Sequence, residues 1–137
     1  MSFDPTRDYP LGSRRPDLVS TLEGTPLAGV TLEAVRAGRI SARDARATPE
    51  TLRRQAAVAS AAGRQPLAES LERAAELAQV PDEELLEIYT SLRPGRSTMA
   101  QLESWAARLD GYGAERTAAF VREAAAVYEQ RGLLARA

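Results

Sequence analysis

The chain has 137 residues, a length that builds one domain, or one domain with an arm. It contains 18 basic and 19 acidic residues and no His or Cys, which excludes the usual zinc sites, Ser-His-Asp triads and disulfides. No side chain present has an ordinary pKa near neutrality, so a general base would have to be a strongly shifted carboxylate or Tyr. We therefore expect this chain to have no catalysis of its own.

All 18 bases are Arg, which indicates either codon bias in a GC-rich genome or guanidinium groups that serve in protein–protein contacts. The formal net charge of −1 gives no long-range field, so we expect neither nucleic acid nor a membrane as partner. No apolar run approaches the ~20 residues that span a bilayer, and the first residues are no signal peptide, which predicts a cytoplasmic protein. Because 26 residues are Ala and only 7 are aromatic, part of the apolar surface is expected to meet another protein.

Residues 1–30 are predicted to form an N-terminal arm, followed by a helical domain over 31–137. Four Pro and three Gly in the arm forbid a helix longer than two turns. We expect the first sixteen residues to be extended and a small hairpin across 17–28. Tyr9, Leu11, Arg14 and Arg15 favour an ordered binding arm over a disordered terminus.

Helix-start signals recur from residue 31 onward and predict an all-α body of about four longer helices. The strongest is Thr48-Pro49-Glu50, with a Thr cap, Pro at the first helical position and an acid in the first turn. Further starts are predicted at Thr31, at Ser41 with Asp44, at Pro66, at Pro81, and at Thr98 with Gln101. The expected helices are a short one from Thr31 through Val35, then 49–62, 66–79, one from Pro81 to before Pro94, one from Thr98 to Asp110, and 114–131.

Apolar stripes at helical spacing predict the core. The inward residues are expected to include Leu67 and Leu71, then Leu85, Ile88 and Leu92, then Leu102, Ala106 and Leu109. Four large aromatic side chains are assigned to the core by the same pattern, although Trp105 lies one step off its stripe and could face a partner: Tyr89, Trp105, Phe120 and Tyr128.

The acidic run Asp82, Glu83, Glu84 and Glu87 is interpreted as helix first-turn acids. A di-iron bundle would need His, and a hard-cation loop would need alternating acids and Gly. We therefore predict no metal site.

An ordered set of short motifs begins at Asp8-Tyr9-Pro10-Leu11 and continues through Thr48-Pro49-Glu50-Thr51-Leu52-Arg53 and Glu72-Arg73-Ala74-Ala75-Glu76-Leu77. It closes with Ala119-Phe120-Val121-Arg122-Glu123-Ala124-Ala125, Tyr128 and Arg131. Over about residues 8–133 this set resembles the small subunit of adenosylcobalamin-dependent diol and glycerol dehydratases. Gly95 departs from the Tyr expected between Pro94 and Arg96.

The resemblance implies an enzyme that converts 1,2-diols or glycerol to aldehydes. Its holoenzyme is implied to be a dimer of heterotrimers, each with one large, one medium and one small subunit. In such enzymes the large subunit is a barrel that holds the substrate and metal sites, and cobalamin lies between the large and medium subunits. The small subunit is implied to be a non-catalytic helical subunit on the large one. We assign it no catalytic, cofactor-binding or metal-binding residue.

The resemblance supplies no interface residues, so we predict them from the chemistry of the side chains. They are Tyr9, Leu11, Arg14 and Arg15 in the arm, and Arg93 and Arg96 beside Pro94-Gly95.

Only seven residues precede Asp8, fewer than an encapsulation helix for a bacterial microcompartment would need. We thus expect that the enzyme is free in the cytosol or that another subunit carries the targeting segment for a microcompartment. The alternative interpretation is a stand-alone helical binding module or transcription regulator.

Overall fold

A computed structural model describes residues 2–136, and the all-α class predicted from the sequence is confirmed. Within this part of the chain no strand forms, and five of the seven α-helices have ten or more residues. These five lie on the five longer segments predicted from residue 49 onward, although the predicted count was about four. The helices are α1 (Leu11–Arg14), α2 (Leu32–Arg36), α3 (Pro49–Ala61), α4 (Gln65–Leu77), α5 (Asp82–Ser91), α6 (Met99–Gly111) and α7 (Glu115–Arg131).

The chain divides by its internal contacts into two compact units, Met1–Ala75 and Glu76–Ala137. The predicted division after residue 30 is a different boundary, and it stays a prediction. Between residues 2 and 136, no helix is both long and apolar enough to cross a bilayer.

The expectation of an extended N-terminal segment needs correction. Residues 5–8 form a turn, α1 follows, and a 3-10 helix covers Pro16–Leu18. The expected hairpin is reduced to one antiparallel bridge between Ser20 and Pro26. Short helices and turns satisfy backbone groups locally, so this segment does not need a partner strand.

The Thr caps predicted for three helices are confirmed. Thr31 accepts the Ala34 N–H and Thr48 accepts the Thr51 N–H. Thr98 and Gln101 form a complete capping box at the start of α6.

Ser41 and Asp44 meet as expected, but no helix follows them. The backbone N–H of Ser41 donates to Asp44 at 2.9 Å and closes a turn instead. This hydrogen bond lowers the pKa of Asp44.

The core of the second unit lies between α5, α6 and α7. Leu102, Ala106 and Leu109 of α6 are fully buried, as predicted, and pack with Val121 of α7. The side chains of Trp105 and Tyr128 also pack against this core, which confirms their assignment. The first unit has a smaller cluster, formed by Ala56, Ala59 and Ala68 with Leu71 at its edge.

Three residues assigned to the core are exposed. Tyr89 is 63% exposed, Phe120 47% and Leu67 46%. Helical spacing defines a face but does not say whether an element covers it, and residues 2–136 leave these three side chains partly exposed.

Candidate functional site

The first unit carries an open apolar groove of about 640 Å³. One wall comes from the N-terminal segment and the other from α3 and α4. Its lining residues are Tyr9, Leu11, Gly12, Val19, Leu27, Thr51, Gln55, Val58, Ala59, Ala62, Arg64, Leu67 and Leu71. The sequence-predicted pair Tyr9 and Leu11 is therefore brought together in one surface.

The groove exposes large apolar side chains in this chain. Tyr9 is 55% exposed, and Leu27 and Leu67 are also exposed. Full burial of a side chain of this size stabilises by about 1.5–3 kcal/mol, so covering the exposed part of each is worth about 1 kcal/mol. Binding of a partner whose apolar surface covers these side chains would be stabilised by this free energy, because the side chains would be removed from water.

Sequence reasoning missed the α3 wall of the groove. Its residues recur three and four positions apart, at Thr51, Gln55, Val58, Ala59 and Ala62, which is one face of a helix. The spacing could have identified the face. Small Ala side chains gave no indication that the face borders an open groove.

The arm arginines Arg14 and Arg15 make ion pairs and hydrogen bonds within the first unit. Arg15 bonds to Asp8 at 3.2 Å and to Asp17 at 2.7 Å, and its side chain is only 17% exposed. Arg14 donates to the carbonyl oxygen of Arg7 at 2.7 Å. These side chains hold the arm in shape, while Tyr9 and Leu11 line the groove.

The buried Asp8 carboxylate is the centre of this arrangement. It accepts two hydrogen bonds from the Arg7 guanidinium, at 2.7 and 3.0 Å, and one from the backbone N–H of Asp4 at 2.9 Å. The Arg7 guanidinium and this N–H hold the pKa of Asp8 well below its usual range.

Arg93 and Arg96 lie apart from the arm residues, in the loop of the second unit between α5 and α6. Both side chains are exposed. Gly95 between them has φ of +76°, a left-handed conformation that strains any residue with a Cβ. Gly adopts this conformation without strain, whereas the Tyr expected here would be strained in it.

Three of the acids predicted for a helix first turn, Asp82, Glu83 and Glu84, lie in the first turn of α5. The prediction is wrong for Glu87, which lies one turn further along, because α5 begins at Asp82. Glu84 accepts hydrogen bonds from Arg108 at 2.6 Å and from the Tyr112 hydroxyl at 3.0 Å. The second bond raises the pKa of Tyr112, because the carboxylate favours the protonated phenol. In the described part of the chain, no three acidic side chains are gathered as metal ligands.

Comparison with known proteins gives one consistent result. The family model described as dehydratase small subunit matches residues 5–135. The propanediol dehydratase small subunit of Citrobacter freundii is 51% identical over 125 residues, which cover 90% of this chain and 73% of that protein. The corresponding protein of Salmonella typhimurium is 50% identical over 125 residues, which cover 90% of this chain and 72% of that protein. The chain therefore belongs to the dehydratase small subunit family.

Proposed function

We propose that this chain is the non-catalytic small subunit of an adenosylcobalamin-dependent dehydratase that converts 1,2-diols or glycerol to aldehydes. It packs on the large, catalytic subunit, and two sets of large, medium and small subunits form the holoenzyme. The observation that carries the proposal is the identity of about half of the residues, over 90% of the chain, to small subunits named for propanediol dehydratase. The predicted cytoplasmic location stays a prediction.

Adenosylcobalamin is assigned to the large and medium subunits, as the family resemblance implies, and the groove of the first unit does not fit it. The amide groups around a corrin ring need many polar partners. The groove of the first unit offers mainly apolar side chains, with Thr51, Gln55 and Arg64 as its polar groups. The cofactor supplies the radical chemistry in the holoenzyme.

The groove of the first unit is the surface proposed for docking on the large subunit. Tyr9 supplies a half-exposed aromatic ring, the type of side chain that often anchors an interface. Three ion pairs hold the segment around Tyr9 in place: Arg7 and Arg15 each bind Asp8, and Arg15 also binds Asp17. A preorganised arm of this kind loses little conformational entropy on binding.

Coexpression of this chain with the large and medium subunits of its own genome tests the proposal. We expect the three chains to elute together in size-exclusion chromatography. The complex should form aldehyde from 1,2-propanediol or glycerol only when adenosylcobalamin is added. A control preparation without this chain should lose activity or yield.

A chain that elutes alone, beside large and medium subunits that are active without it, would contradict the proposed function. It would favour the alternative of a stand-alone helical module.

A further inference from the structure

One end of the second unit gathers four arginines, which we call the arginine end: Arg93, Arg96, Arg131 and Arg136. The topology brings them together, because α5 ends at Ser91, α6 begins at Met99 and α7 ends at Arg131. Two of these residues precede α6 and two lie at or beyond the end of α7.

Backbone hydrogen bonds join the two segments of the arginine end. The N–H of Gly95 donates to the carbonyl oxygen of Leu133 at 2.7 Å, and the N–H of Ala135 donates to that of Ser97 at 2.9 Å. The Tyr128 hydroxyl donates to the carbonyl oxygen of Leu92. The loop that carries Arg93 and Arg96 is therefore fixed by hydrogen bonds to its main chain, which do not depend on the arginine side chains.

The arginine end has no compensating acid in its own segments. Neither 88–102 nor 130–136 contains Asp or Glu. Within residues 2–136, none of its four arginines makes an ion pair, whereas Arg108 and Arg122 of the same unit do. The C-terminal dipoles of α5 and α7 contribute about half a negative charge each, and the N-terminal dipole of α6 contributes about half a positive charge. The arginine end therefore keeps a surplus of about three to four positive charges.

A small polar cup of about 240 Å³ adjoins Arg96. Its walls are Thr90, Ser91, Arg96, Ser97, Gln101 and Trp105. The Arg96 guanidinium beside an indole ring suits a carboxylate on a short side chain, because Arg binds carboxylates with two parallel hydrogen bonds. The hydroxyls of Thr90 and Ser97 already donate to the carbonyl oxygens of Leu86 and Ser91, so Arg96 is the main donor of the cup. Arg and Trp are also the side chains that most often dominate the energy of an interface.

We infer that the arginine end and its cup receive an acidic segment of the dehydratase large subunit, with one Asp or Glu side chain bound in the cup by Arg96. The inference rests on the proposed function and adds a second docking surface to the groove of the first unit. Four arginines on a chain of net charge −1 are few for a nucleic-acid backbone, which favours a protein partner.

The test is recovery of the large subunit on affinity-tagged small subunit after coexpression of all three chains. We expect the double variant Arg93→Glu/Arg96→Glu to retain at least about tenfold less large subunit than the wild type at about 0.1 M salt. The pair Arg93→Lys/Arg96→Lys should restore part of the recovery, because Lys keeps the charge but cannot bind a carboxylate with two parallel hydrogen bonds. Wild-type recovery should itself fall at about 1 M salt, because screening weakens exposed charge pairs.

The matched control is Arg39→Glu/Arg53→Glu, which makes the same charge change at two exposed positions of the first unit. It should retain the large subunit as the wild type does. Equal recovery with the Arg93→Glu/Arg96→Glu variant, or an equal loss with the control, would overturn the inference while leaving the proposed function intact. Failure of the wild type to retain the large subunit would instead overturn the proposed function, and the inference with it. Unchanged circular dichroism of the variants shows that the fold is kept.

Discussion

Asp8 shows how much a single side chain organises in the first unit. Asp8 directly precedes Tyr9 and is only 4% exposed. Its carboxylate accepts hydrogen bonds from the side chains of Arg7 and Arg15 and from the backbone N–H of Asp4. The sequence suggested Arg14 and Arg15 as partner-binding groups, because the arm was not expected to bury itself. In the structure their side chains donate hydrogen bonds to Arg7, Asp8 and Asp17 of the same arm. Only the folded arm could show that these arginines are already engaged.

Asp8→Asn should destabilise the first unit at neutral pH, because Asn keeps the shape but loses the ion pairs. The pKa of Asp8 is lowered in the folded state, so its contribution is present above the unfolded pKa of about 3.9 and is lost as the pH falls through the folded pKa. We expect the difference in Tm between wild type and variant to be constant near neutrality and to narrow below about pH 4. Thermal melts across this range measure it. A difference that stays constant at acid pH would show that the charge is not the cause.

Helix α7 depends on a residue outside itself for its start. Ala114 precedes it and offers no side-chain cap. Glu76 supplies the missing acceptor, since it receives the backbone N–H groups of Arg116 and Thr117 at 3.1 and 2.9 Å. The Thr117 hydroxyl donates to the same carboxylate at 2.7 Å. No local sequence pattern indicates this role of Glu76, because Arg116 is 40 residues away along the chain.

Glu76→Ala should cost about 1–2 kcal/mol of unfolding free energy, as the loss of a helix cap does. Urea denaturation followed by circular dichroism measures the change. Glu69→Ala is the matched control, because Glu69 is exposed on the same helix, and it should change stability by less than about 0.5 kcal/mol. Equal effects of both substitutions would argue against capping by Glu76.

The two units of the molecule differ in how they are held together. The second unit buries Leu102, Leu109 and Val121 almost completely, and α6 packs along α7. The first unit buries mostly Ala, and its larger apolar side chains line an open groove. An Ala-based core gains less from burial, so the first unit is expected to open more often than the second.

Hydrogen exchange should show this difference directly. In the free chain, amides of α6 and α7 are expected to exchange at least about tenfold more slowly than those of α3. In the complex with the large subunit, the amides of α3 along the groove should gain protection, while buried amides of α6 serve as the internal control. Equal rates in the two units would contradict the stability difference, and unchanged α3 protection would exclude the groove as the docking surface.

The sequence by itself determined the all-α class, the starts of the main helices and the family. Caps such as Thr48 and Thr98 act through the nearest backbone groups, and periodic residues such as Leu102 and Leu109 define a face without distant information. The tertiary structure decided which faces are left open. Tyr89 and Phe120 follow the same spacing as core residues yet are exposed, because burial depends on elements far along the chain. The groove around Tyr9 and the grouping of Arg93 with Arg136 arise for the same physical reason, since folding brings together segments that no local pattern links.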